Sequence, residues 1–353
     1  TIMSKEIRVL NIDDSTYVRL VLSRIIGSTD DMTVVGQAAD GQEGLRLVRE
    51  LKTDVITLDI EMPEVDGLEF LRRLMPENPP PVVMLSSLTH AGAAPTLAAL
   101  SLGAVDFVGK PGSAGVPDLG TVGRQLLDKV RTAANASVSA SVSTVPDTLP
   151  ESHTSYSSRT RVAQWPCILI AASTGGPKTL DAVFSSIPGD IPASFAITQH
   201  IPAQFSSALC ERLDQKCALT VRQAEEGDIL EAGTALMAPG GYHMIIRPRG
   251  VVHLSTDAKV WGVRPAADPM FESAAKSLNR PLVALVLTGM GQDGARGCVT
   301  VREAGGLVFA EAEQSCIVYG MPKAAYETGV CERRLTLERI PTHLVQIAHQ
   351  LCQ

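Results

Sequence analysis

Ser173, His200 and Asp293 are the side-chain types that acyl transfer requires: a hydroxyl nucleophile, an imidazole base and a carboxylate to orient it. Ser173 stands in A-S-T-G-G-P, between the apolar run 168–172 and a segment with helical spacing. A hydroxyl at such a turn meets the free N–H groups of a helix N-terminus, which stabilise negative charge. Gly175 and Gly176 let a substrate or a second backbone approach closely. Taken alone, the segment reads more simply as a Ser/Thr helix cap with Pro177 in the first turn. A Walker phosphate loop fails, because Ala172 and Pro177 stand where it needs glycines. His200 follows the run 195–198 in Q-H-I-P, and Asp293 follows the run 282–287 in T-G-M-G-Q-D-G. An α/β-hydrolase would show G-x-S-x-G and the order Ser, Asp, His. Here the order is Ser, His, Asp.

A second set lies in the first half: Asp13 and Asp14, Asp59, Ser86 and Ser87, and Lys110 before Pro111. Three carboxylates gathered at one place repel one another unless a cation offsets them, and an oxygen-only set suits Mg²⁺. One carboxylate could then attack phosphorus, with a hydroxyl and an ammonium holding the phosphoryl oxygens. A single Asp at a strand end is more often a turn or cap residue; the combination is far more specific.

The elements that must position these residues follow from periodicity. Short β-branched runs at Ile7–Ile12, 33–38, Val55–Asp59, 82–87 and 105–108 alternate with helical patterns such as Leu119, Val122, Leu126 and Val130. That predicts a flavodoxin-like (βα)5 unit, a parallel sheet covered on both faces, with ligands beyond its carboxyl ends. Residues 137–158 hold eight serines and two prolines and lack the apolar content to fold, which predicts a flexible Ser-rich linker over 135–160 between units 1–134 and 161–353. The second unit is expected to be a doubly wound, mainly parallel α/β domain with an antiparallel hairpin around 235–254, inserted at an edge.

At 353 residues and 45% hydrophobic, the chain suits two globular domains. The net charge of -7 falls wholly on residues 1–158, with 13 basic and 20 acidic side chains; residues 159–353 are neutral. Neither half has the basic excess of a nucleic-acid reader. The seven cysteines contain no C-x-x-C and read as buried thiols of a reducing compartment. No apolar run reaches the length of a signal peptide or a membrane span, so a cytoplasmic protein without membrane insertion is expected.

D-D at 13–14, D-I-E-M-P-E-V-D-G at 59–67, S-S at 86–87 and G-A-V-D-F-V-G-K-P at 103–111 resemble bacterial response-regulator receivers. The resemblance implies Asp59 as phosphoacceptor and Mg²⁺ held by Asp13, Asp14, Asp59 and the carbonyl of Glu61. It also makes Ser86 and Phe107 the switch pair and Lys110 the phosphoryl contact. In the second unit, A-S-T-G-G-P, Q-H-I-P, A-P-G-G-Y-H-M and L-T-G-M-G-Q-D-G resemble the CheB chemotaxis methylesterases. That implies Ser173 as nucleophile, His200 as base and Asp293 as orienting acid, with Thr174, Gly175, Gly176 and Met290 lining the site and the Met290 N–H in the oxyanion hole. It further implies a monomer that demethylates glutamate esters and deamidates glutamines on membrane chemoreceptors, needs no cofactor for the ester chemistry, and is phosphorylated by the chemotaxis histidine kinase. The competing readings are a non-enzymatic regulator whose second domain binds a partner or nucleotide, disfavoured by the three strand-end residues, and a transcriptional regulator, disfavoured by charge and by an α/β output domain.

Overall fold

The computed structural model describes residues 6–87, 89–111, 119–136 and 165–352. Residues 137–160 of the expected linker lie outside the described residues.

The first unit alternates β1 (Ile7–Ile12), α1 (Thr16–Ile26), β2 (Met32–Ala38), α2 (Gly41–Glu50), β3 (Val55–Asp59), α3 (Gly67–Leu74), β4 (Val82–Ser86), α4 (His90–Leu102), β5 (Asp106–Gly109) and α5 (Leu119–Ala134). The strands form one parallel sheet in the order β2-β1-β3-β4-β5. Its central strand β3 and the neighbouring β4 are buried along their whole length, as sheets covered on both faces require. Ser15, Asp40, Asp66 and Thr89 cap α1 to α4 with side-chain oxygens, each accepting an N–H from the first helical turn.

The second unit runs β6 (Cys167–Ala172), α6 (Gly176–Phe184), β7 (Ser194–Gln199), α7 (Ala203–Asp214), β8 (Thr220–Gln223), β9 (Thr234–Met237), β10 (His243–Arg247), β11 (Val251–Ser255), α8 (Ala267–Ser277), β12 (Leu282–Val286), α9 (Ala295–Glu303), β13 (Leu307–Glu311), α10 (Met321–Glu327), β14 (Arg333–Leu335) and α11 (Ile340–Leu351). Seven parallel strands take the order β14-β13-β12-β6-β7-β9-β8. Leu180, Phe205, Leu209 and Leu344 cover one face; Met270, Phe271, Cys298 and Val301 cover the other.

The mainly parallel domain and its hairpin are as expected, with one difference of placement. The segment 234–237 pairs in parallel with β7 inside the main sheet, and the hairpin is confined to β10 and β11 as a separate two-stranded sheet. The Pro239-Gly240-Gly241 turn therefore separates sheets instead of joining hairpin strands; Gly240 lies so close to Ala203 that a Cβ there would meet its nitrogen at 2.4 Å. All seven cysteines are free thiols. No described helix is long and apolar enough to cross a membrane.

Candidate active site

β12, β6 and β7 are adjacent in the centre of the sheet, and their carboxyl ends deliver Asp293, Ser173 and His200 to one edge. The chain leaves β6 toward β7 on one side and reaches β12 on the other, a switch of direction that opens a crevice in parallel sheets. His200 Nε2 lies 2.7 Å from Asp293 Oδ2. This occupies Nε2 and leaves Nδ1 as the nitrogen able to take a proton. Gln199 Nε2 donates to the carbonyl of Ser173 (2.9 Å) and to that of His200 (3.1 Å), tying the two loops together. Among the described residues, no hydrogen bond joins the Ser173 hydroxyl to His200, an opening that hydrolytic sites commonly show before substrate binds.

Asp293 is 1% exposed. Burial pushes its carboxyl up, but His200 and the N–H groups of Ala267 (2.6 Å to Oδ2) and Asp268 (3.0 Å to Oδ1) outweigh that and hold it below the usual carboxylate range. It is therefore an ionised acceptor that fixes the imidazole tautomer.

The capping reading of Ser173 is not realised: α6 has Gly175 at its N-cap, at φ 81°, with no side-chain cap. Ser173 instead donates its N–H to Thr288 O (3.0 Å), and among the described residues its hydroxyl has no hydrogen-bond partner. At Gly176 a Cβ would lie 1.9 Å from Gln199 Oε1, so a larger residue there would displace the amide that ties the two loops together. Met290 is exposed on the loop that follows β12, and among the described residues its N–H engages no protein acceptor.

In the first unit, ligand oxygens of Asp13, Asp14 and Asp59 lie within 4.8 Å of one another. Lys110 Nζ reaches Asp59 Oδ2 at 2.6 Å and Asp13 Oδ2 at 3.4 Å. Burial pushes Asp59 up to about 6, with Lys110 pulling it back and Asp13 adding to the rise; burial raises Asp13 as well. Asp13 Oδ2 and Asp59 Oδ2 are buried and accept no well-aligned hydrogen bond, so the oxygen set fits a hard dication. Glu61 adjoins it, its N–H 3.3 Å from Asp59 Oδ1. Ser86 Oγ is held by Thr96 Oγ1 at 2.7 Å, a partner on α4 that sequence reasoning did not find.

The two units meet along the α4, β5 and α5 side of the first. Phe107 is nearly buried, its ring stacked on Phe205 of α7 with centroids 4.6 Å apart. The Thr174 hydroxyl donates to Asp106 Oδ2, Thr132 Oγ1 to Met290 Sδ (3.2 Å), and Ile317, which packs under Gly175, also touches the apolar cluster of the first unit. On α4, Ser101 donates to Asp181 Oδ2 (3.2 Å) and accepts from Arg212. Asp106, Phe205, Gln199, Thr288 and Asp268 were given no role from sequence: Asp106, Gln199 and Thr288 stand inside the quoted motifs but beside the residues to which chemistry was assigned, and Phe205 and Asp268 stand outside them.

A receiver-type (βα)5 domain joined to a parallel α/β domain with Ser, His and Asp on one edge defines a receiver-linked hydrolase. Residues 168–344 match the family model described as CheB methylesterase, and residues 9–116 that of the response regulator receiver domain. The chain belongs to the CheB methylesterase family and is a carboxylic ester hydrolase carrying a receiver. It is 40% identical to the protein-glutamate methylesterase/protein-glutamine glutaminase of Pyrococcus horikoshii, over 98% of this chain and 94% of that protein. The relative of the same name from Symbiobacterium thermophilum is 42% identical over 97% and 96%. The crystal structure of the Thermotoga maritima CheB methylesterase catalytic domain is 36% identical, with a TM-score of 0.51, and covers 53% of this chain and all of that one.

Proposed function

We propose that the protein hydrolyses glutamate γ-methyl esters on bacterial chemoreceptors, and deamidates receptor glutamines, under control of phosphorylation at Asp59. The observation that carries the chemistry is the His200–Asp293 contact beside Ser173 on three adjacent strand ends. Asp293 accepts from His200 Nε2–H, so Nδ1 takes the Ser173 proton as Oγ attacks the ester carbonyl. The tetrahedral oxyanion is met by main-chain N–H groups at the Ser173 turn and at Met290. Collapse expels methanol with the proton returned by His200; water, deprotonated by the same nitrogen, then hydrolyses the acyl-enzyme to the carboxylate and restores Ser173. For a glutamine side chain the leaving group is ammonia. Thr174, Gly175 and Gly176 line this space.

In the receiver, Mg²⁺ would be held by Asp13, Asp14, Asp59 and the Glu61 carbonyl, and it would neutralise charge as Asp59 accepts a phosphoryl group from a chemotaxis histidine kinase. The added ~1.5–2 negative charges draw Lys110 and the Ser86 hydroxyl toward the phosphoryl oxygens. Ser86 then leaves Thr96, and Phe107 is released from Phe205, loosening the receiver from the ester site. Residues 1–134 act as the regulatory unit and 161–353 as the enzyme, with 135–160 as their tether.

Methanol release from methylated receptor membranes tests the reading. Ser173→Ala should abolish it at unchanged fold, and a phosphodonor should raise the wild-type rate. Near-wild-type release by Ser173→Ala would sink the mechanism.

A further inference from the structure

Asp268 is fully buried, yet no step of the proposed reaction uses it. As the second residue of α8 it donates one of the two N–H groups that hold Asp293. Its side chain crosses the same junction in the opposite sense. Asp268 Oδ1 accepts from the N–H groups of Gly294 (3.0 Å) and Gly297 (2.8 Å), and Oδ2 from Trp261 Nε1 (2.8 Å). The α9 helix begins after Gly294, at φ 89°, which has no side chain to cap it. The two helices thus exchange caps: Asp293 serves the N-terminus of α8, and Asp268 that of α9.

This arrangement is costly in isolation. Burial pushes the Asp268 carboxyl up, and the nearby Asp293 charge adds to that, while Trp261 and Gly297 pull it back. The half-exposed Arg296, 3.9 Å away, is engaged mainly with Glu272 at 2.5 Å. What the carboxylate supplies is convergence, three donors from two segments fixed on one group.

We infer that Asp268 is a positioning residue for the esterase reaction: by anchoring Gly294 it holds the adjacent Asp293 against His200 Nε2 and so aims Nδ1 at Ser173. The inference rests on the Ser173–His200–Asp293 reading. Without the Asp268 carboxylate, the Gly294 and Gly297 N–H groups lose their acceptor in a buried place, and the Asp293 loop gains freedom. Displacements of a fraction of an ångström at an orienting group are amplified in the chemical step.

The test uses the full chain and a helical peptide bearing one glutamate γ-methyl ester, with methanol release followed against pH and rates normalised to the folded fraction by near-UV circular dichroism. Asp268→Ala should lower kcat by about 10²-fold with KM nearly unchanged, and displace the pH–rate profile. Asp268→Asn, which keeps an oxygen for both glycine N–H groups, should restore most of the rate. Wild-type kcat and pH profile in folded Asp268→Ala, alongside an Asp293→Ala variant that has lost activity, would overturn the role of Asp268 and leave the triad standing. Wild-type kcat in Asp293→Ala would remove the triad and this inference with it. Should Asp268→Ala not fold, Asp268→Ser leaves only a shorter acceptor where Oδ1 held the Gly294 and Gly297 N–H groups. A kcat lowered about tenfold or more in the folded variant, with a displaced profile, then supports the role, and wild-type kcat and profile overturn it.

Discussion

The Thr174 hydroxyl donates a 2.5 Å hydrogen bond to Asp106 Oδ2. The residue next to the candidate nucleophile is thereby joined to the first residue of β5, the strand that carries Phe107. Lys129 reinforces the junction, donating from Nζ to Asp106 Oδ1 at 2.7 Å and to the Phe107 carbonyl at 2.6 Å. Anything that moves β5 is therefore felt one residue from Ser173.

Asp106→Ala in the full chain should raise methanol release in the absence of a phosphodonor. A buried hydrogen bond of this kind contributes roughly 1–2 kcal/mol, and 1.4 kcal/mol is tenfold, so a rise of about five- to thirtyfold is expected. The phosphodonor should then add less than it does to the wild type. An unchanged or lowered basal rate would show that this contact does not hold the domains closed.

Asp59→Asn should abolish incorporation of acid-labile phosphate from a small phosphodonor while leaving basal ester hydrolysis within about twofold. The amide keeps the shape of the side chain but cannot act as the nucleophile. Chelation of Mg²⁺ in the wild type should have the same effect on phosphate uptake, because Asp13, Asp14 and Asp59 lie within 4.8 Å and, among the described residues, Lys110 alone is ion-paired with them. Phosphate uptake by Asp59→Asn at the wild-type rate would relocate the acceptor.

Sequence periodicity found the five receiver strands to within about one residue, because each is a compact, mostly apolar run, and picked out α2 and α5 by their spacing; α4, apolar all round with Pro95 inside it, carries no such stripe. In the second domain periodicity missed β8, β13 and β14. Arg222 and Arg334 interrupt the short β8 and β14 with charge, and β13 is an apolar run of four residues closed by the buried Glu311, too short for periodicity to separate from a piece of helix. The site residues were legible because their motifs stand at strand ends. Their supports were not: Asp268 and Thr288 act through contacts with residues 25 and more positions away, which no local pattern encodes.

Glu311, fully buried at the carboxyl end of β13, accepts from Thr288 N–H at 2.8 Å and Ser315 Oγ at 3.1 Å. Burial pushes it up to about 7 from 4.5, only partly offset by those donors. Between those two values the unfolded chain has lost the proton that the folded chain keeps, so stability falls as pH rises from about 4.5 to about 7 and is flat above. The accumulated cost is roughly 3 kcal/mol. Glu311→Gln should therefore stabilise the protein at pH 8 by a measurable part of that and do little at pH 4.5, read by urea unfolding. Equal effects at both pH values would show that the ionisation is not the source of the cost.

Gly289 is the residue where loop chemistry and nucleophile geometry meet most tightly. Its carbonyl accepts from the N–H groups of Gly320 and Met321, and its own N–H bonds to Val318 O, so its backbone cannot retreat. A Cβ there would lie 2.5 Å from Met321 Sδ and 2.7 Å from Ser173 Cβ. The thioether can swing away; the serine Cβ, held by Thr288 O through its own N–H, cannot do so without moving Oγ. Gly289→Ala should thus displace the nucleophile while the sheet and both helical layers stay intact. The expected result is a kcat about 10²-fold lower with an unchanged unfolding midpoint within a few degrees, since the added methyl pushes on one turn and not on the core. A large loss of stability with wild-type kcat per folded molecule would mean that the strain is relieved through the scaffold and not at Ser173.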